Sequence, residues 1–120
     1  MHFTEQQIEQ AIELENLGLE WTPSAGHYAY DVASALRPSS PFRIGVYFLL
    51  DLDCFLRAVG GLDEFKRLMV WLPTWEHARE ILRYLKVSDA EIVAELGRTR
   101  AISNRGELFC LYRLIEHSLC

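Results

Sequence analysis

Apolar and polar positions along this chain change their period several times, and each change marks an element. Ile8, Ala11 and Ile12, with Leu19 beyond them, follow the spacing of one helix face. Thr4 followed by Gln7 has capping-box spacing, in which each side chain reaches the other residue's backbone N–H, and Gly18 stops this helix near Leu17. Between Tyr28 and Val32 the period shortens to two: Tyr28, Tyr30 and Val32 share one face, and His27, Ala29 and Asp31 the other. That pattern predicts a strand, and its polar His27 and Asp31 face fits a sheet edge with one wet side at least as well as an active site. Residues 43–50, RIGVYFLL, are apolar on both faces and rich in aromatic and β-branched types, which predicts the central strand.

A helix is expected from Leu52 to about Val59, closed by Gly60 and Gly61, and LDEFKRLM offers a further helical turn or two. MVWLP reads as a brief extended piece ending at Leu72, because Pro73 has no N–H for a ladder. From Thr74, a natural N-cap, Trp75, Ala78, Ile81, Leu82 and Leu85 follow one helix face. Ser88 and Glu91 form a second capping box, opening a helix that runs through Leu96 to Gly97. The last helix is expected to begin near Asn104, with Glu107 as box partner, and to bury Leu108, Leu111, Tyr112, Ile115 and Leu119. These elements predict one α+β domain over residues 1–120, with two or three short strands, four or five helices and a helical C-terminal half; an all-α domain is the alternative. SALRPSSPF, residues 34–42, interrupts both periods and reads as a connection inside that domain.

Half the residues are apolar and 24% are charged, so the chain can fill a core. A net charge of −5 gives no general attraction for a phosphate backbone, which argues against a nucleic-acid partner. Arg98, Arg100 and Arg105 are the nearest thing to a basic cluster, and they follow a helix end whose dipole they complement. The longest clean apolar run, IGVYFLL, has seven residues, against the ~20 that cross a bilayer, and MHFTEQQIEQ has no secretory signature. A cytoplasmic protein without a membrane partner is the expectation. Cys54, Cys110 and Cys120 form an odd set without C-x-x-C spacing, and neither a disulfide framework nor a zinc knuckle is expected. Cys54 and Cys110 read as small core residues, and Cys120 as exposed.

Two aspartates one residue apart, Asp51 and Asp53, follow the apolar run of VYFLLDLDCFL. Adjacent carboxylates at a strand end can hold magnesium against a phosphate, and local physics offers a second reading. Asp51 can cap the helix that begins at Leu52, and Asp53 in its first turn meets the positive end of the dipole. FLLDLDCFL resembles the first motif of haloacid-dehalogenase-type phosphatases, in which the first aspartate is the nucleophile. It is also similar to the strand-and-helix start of Y-family translesion polymerases. Both resemblances stop within this stretch: Cys54 and Phe55 stand where the phosphatase motif has Gly-Thr, and neither a second carboxylate motif nor a basic channel follows.

WLPTWEHAREIL, residues 71–82, sets two tryptophans around a proline. Trp71, Trp75, His77 and Arg79 could line a groove that takes a partner, or the two tryptophans could pack a strand-helix corner. Its REIL fragment resembles part of the Nudix motif without that motif's paired glutamates. Tyr28 and Tyr30 add a second aromatic face. His2, His27, His77 and His117 are widely spaced and form no recognised ligand motif, and no nucleophile elbow or phosphate loop is present. The expectation is a small module without catalytic activity or cofactor that binds a protein partner, or itself, through Trp71, Trp75, His77, Arg79, Tyr28 and Tyr30. The alternative is a magnesium-dependent enzyme acting on a phosphorylated compound through Asp51 and Asp53.

Overall fold

Cap residues set most helix limits in the computed structural model, which describes residues 3–36, 45–103 and 105–120. Thr4 and Gln7 form the expected box at the start of α1 (Glu5–Asn16), with bonds of 3.0 and 3.1 Å, and Gly18 follows with φ +94°. Asp51 caps α2 (Leu52–Val59), and Gly60 ends it in the left-handed region, where a residue without Cβ is favoured. α3 (Leu62–Leu68) follows directly. Thr74 caps α4 (Trp75–Tyr84), and Ser88 with Glu91 caps α5 (Asp89–Arg98). The last helix, α6 (Glu107–Leu119), departs from expectation: its N-cap is Gly106, with no side-chain bond, so Glu107 is the first helical residue and not a box partner. Asn104, the connection beyond Leu36, the first residues of the expected 43–50 strand and His2 lie outside the described residues.

Three short strands, β1 (Tyr28–Asp31), β2 (Val46–Phe48) and β3 (Met69–Leu72), make an antiparallel sheet in the order β2-β1-β3. This reverses the sequence-based placement: the YAYD strand is central, and the apolar run expected at the centre is at an edge. Tyr28 stands opposite Phe48 and Leu72, Ala29 opposite Tyr47 and Trp71, and Tyr30 opposite Val46 and Val70. Because side chains alternate, this register sorts them into two faces, and both are covered.

One face, with Tyr28, Tyr30, Val46, Val70 and Leu72, joins a core built from α1, α4 and α6, whose fully buried members include Leu14, Leu82, Leu111, Tyr112 and Ile115. The other face, with Ala29 and Met69, meets Trp21, Leu49 and Phe65 in a second core closed by α2 and α3. The expected wet side of YAYD is therefore dry: Asp31 is only 5% exposed. Its carboxylate is satisfied locally, accepting from the N–H groups of Ala35 (2.9 Å) and Leu36 (2.8 Å), which folds the chain back after β1. Cys110 is buried and Cys120 exposed, as expected, but Cys54 is exposed, because α2 turns that position away from its core. Among the described residues no helix is long and apolar enough to cross a membrane.

Candidate functional site

α4 presents three stripes, and each does something different. Ala78 and Leu82 are fully buried against the helical core. His77, Glu80, Ile81 and Tyr84 stand at i, i+3, i+4 and i+7, the spacing of a single face, and all four line an open cleft of about 620 Å3. Trp75 and Arg79, at i and i+4, form a third stripe. The expected face of Trp75, Ala78, Ile81, Leu82 and Leu85 is thus split: Trp75 is not core but 44% exposed, with the Arg79 guanidinium 5.1 Å from its ring centre. Arg79 also donates to Asp89 at 3.1 Å, tying α4 to the start of α5.

The cleft floor comes from three separate parts of the chain. Trp71 lies on β3, His77 in the first turn of α4, and His27 just before β1. Register accounts for the meeting of His27 and Trp71, since Trp71 pairs with Ala29 and so shares the sheet face of the residue two before it. The His27 ring stacks on Trp71 (5.1 Å between centres, 25° between planes) and meets the His77 ring edge-on at 4.7 Å. Trp21 lies parallel to Trp71 at 6.2 Å, extending the stack toward the second core.

Hydrogen bonds fix the protonation pattern of this floor. The Trp21 indole N–H donates to His27 Nδ1 at 3.1 Å, and an indole nitrogen can only donate. Nδ1 of neutral His27 must therefore carry the lone pair, which puts the proton on Nε2 and leaves it a donor. Burial lowers the His27 pKa, His77 lowers it further, and the Glu80 carboxylate opposes both, so His27 is neutral at pH 7. Thr74 Oγ1 accepts from the backbone N–H of His77 (3.3 Å) and lies 3.0 Å from Nδ1 of the same residue, so the helix cap also positions the ring. The Nε1 of Trp71 is buried and has no hydrogen-bond partner among the described residues. Behind the floor, the Tyr112 hydroxyl donates to the Pro73 carbonyl and locks α6 to the β3–α4 corner.

The remaining expected residues lie elsewhere. Tyr28 and Tyr30 are half-buried on the opposite sheet face, where Tyr28 packs against Phe3 (5.4 Å) and Phe48 (4.9 Å). Asp51 is exposed and accepts from Cys54 N–H at 3.3 Å, the capping geometry, and Asp53 is exposed in the first turn of α2. Among the described residues no three His, Cys, Asp or Glu side chains converge as metal ligands would.

Sequence reasoning found Trp71 and His77 but missed Trp21, Glu80 and Tyr84. The stripe from His77 to Tyr84 was available as a helical period; Trp21 carried no signal of its own, because it joins the site from an irregular segment, through its bond to His27. Comparison with protein-family models, with curated proteins and with solved structures finds no match to this chain.

Proposed function

We propose that this protein is a small cytoplasmic interaction module, without catalytic activity of its own, that takes part of a protein partner into the cleft beside α4. The observation that carries this reading is the pairing of an aromatic floor, His27, Trp71 and His77, with large side chains the fold leaves in solvent on the same helix. Tyr84 is 79% exposed and lines the cleft, and Trp75 stands on the adjoining stripe. Neither is needed to fill a core, and aromatic side chains supply much of the binding energy where partners meet. The volume of the cleft suits two or three side chains of a bound segment.

Selection of a displayed peptide library on the immobilised protein tests the proposal. Enriched peptides should bind wild type and lose about tenfold or more in affinity to Tyr84→Ala and Trp75→Ala, whose exposed positions leave folding intact. Peptides that bind both variants as tightly as wild type, or a library that yields no binder, would refute it. Sedimentation at increasing concentration checks the self-association version, for which Trp75→Ala should shift a dimer toward monomer.

A further inference from the structure

The cleft is electrically one-sided. Its lining includes two carboxylates, Glu20 from the segment after α1 and Glu80 from α4, and neither lysine nor arginine. Both glutamates are exposed, and among the described residues neither joins an ion pair. Three acids elsewhere do meet a cation: Glu64 bonds Arg67, Asp89 bonds Arg79 and Glu95 bonds Arg98. In the cleft, two carboxylates without an ion-pair partner among the described residues stand beside the aromatic side chains of Trp71 and Tyr84, and aromatic faces attract cations.

We infer that the cleft receives a basic side chain, lysine or arginine, from a protein partner. Its aliphatic stem lies along Trp71, Ile81 and Leu85, and its charged head is turned to Glu80 and Glu20. This rests on the interaction reading above and adds the chemistry of the partner. Lysine and arginine make this two-part demand, because their stems bury on apolar surface while their heads stay near water. His27 does not compete for the carboxylates as a cation, since its bond from Trp21 holds Nδ1 as an acceptor. The net charge of −5 draws a basic partner from a distance and disfavours a second copy of this chain as the occupant. Lys66 shares an adjoining depression of about 270 Å3 with Glu20, so Glu80 carries the larger part of the recognition.

Four capped tripeptides, acetyl-Leu-X-Leu-amide with X as arginine, lysine, norleucine or glutamate, probe the cleft directly by amide, indole and imidazole NMR. The arginine and lysine probes should shift the signals of Trp71, His77 and Tyr84 and bind about fivefold or more tightly than norleucine, with glutamate weakest. Glu80→Gln should weaken the two basic probes about two- to fivefold and leave the norleucine probe unchanged, with the melting temperature preserved. Equal binding of norleucine and arginine, with Glu80→Gln silent, overturns the charge assignment and leaves the interaction module standing. Shifts at the cleft that grow with protein concentration before any probe is added overturn it in favour of a second copy. If no probe moves these signals and peptides selected from the library bind elsewhere, both readings fail at this site.

Discussion

Replacing Tyr112 by phenylalanine removes a single oxygen from the most enclosed polar contact near the cleft. The side chain is fully buried, its hydroxyl donates to the Pro73 carbonyl, and Pro73 is itself fully buried. Burial also pushes the Tyr112 phenol well above its ordinary pKa, so the group is a neutral donor throughout the working pH range. Deleting it forfeits about 1 kcal/mol of net hydrogen bonding and strips a dry carbonyl of a donor, for a total of roughly 1–3 kcal/mol. For a chain of this size each kcal/mol lowers the melting temperature by about 4 °C, so a fall of roughly 4–12 °C is expected. Urea unfolding followed by circular dichroism should show the midpoint falling by about 1 M with an unchanged slope. Pro73 separates the end of β3 from the α4 cap, so the Trp71 indole and His77 imidazole signals should also move. A phenylalanine variant within about 0.5 kcal/mol of wild type, with those signals unshifted, would refute the view that this bond holds the corner.

Three further outcomes follow from the same geometry. Trp21→Phe keeps a ring beside Phe65 and Trp71 but removes the N–H that holds His27 Nδ1, so long-range nitrogen-15 spectra should show His27 passing from one tautomer to a mixture, with stability lower by about 1 kcal/mol or more. His27 has a folded pKa below its unfolded value of about 6.5, chiefly through burial and then through His77. The unfolded chain therefore binds the proton first, and stability present above pH 6.5 should be lost as pH falls toward the folded pKa; His77→Gln should shrink that loss, read from urea midpoints at pH 7.5 and at about pH 5. Gly45→Ala sets a Cβ 2.8 Å from the Tyr30 ring at φ +87°, and thermal melting should report a loss of about 1–3 kcal/mol; a neutral result would mean that the β2 entry relaxes freely.

What the sequence made legible was local. The limits of α2 follow from Asp51 and Gly60, and the start of α5 from Ser88 and Glu91, because capping is decided within one helical turn. Strand order was not legible, since hydrophobicity on both faces reads the same for an edge covered by helices as for a centre. β2 looked central for that reason, while Asp31 made β1 look wet although its carboxylate is consumed by two backbone N–H groups. Trp75 falls within the apolar stripe by spacing, which leaves a groove residue and a packed corner open to the sequence; as the first residue of α4 it has no preceding turn to cover it and is exposed. The site divided in the same way. Trp71 and His77 are six residues apart and were visible together, whereas His27 reaches them through the pairing of β1 with β3 and Trp21 follows by its bond to His27.

β3 contributes alternate residues to two different cores, Val70 and Leu72 to one and Met69 to the other. Neither core can open without exposing the back of the same strand, so the molecule melts as one cooperative unit rather than in halves. Amide hydrogens that bond β1 to β3 should exchange with deuterium only through global unfolding, while α5, with Ile92 as its one buried side chain, exchanges through local opening. Because Trp71 is part of that shared strand, occupancy of the cleft is transmitted to the whole transition: a ligand present at a hundred times its Kd raises the free energy of unfolding by about 2.7 kcal/mol. A simple melting curve is thus a general detector for whatever this cleft holds, whether or not its chemistry has been guessed beforehand.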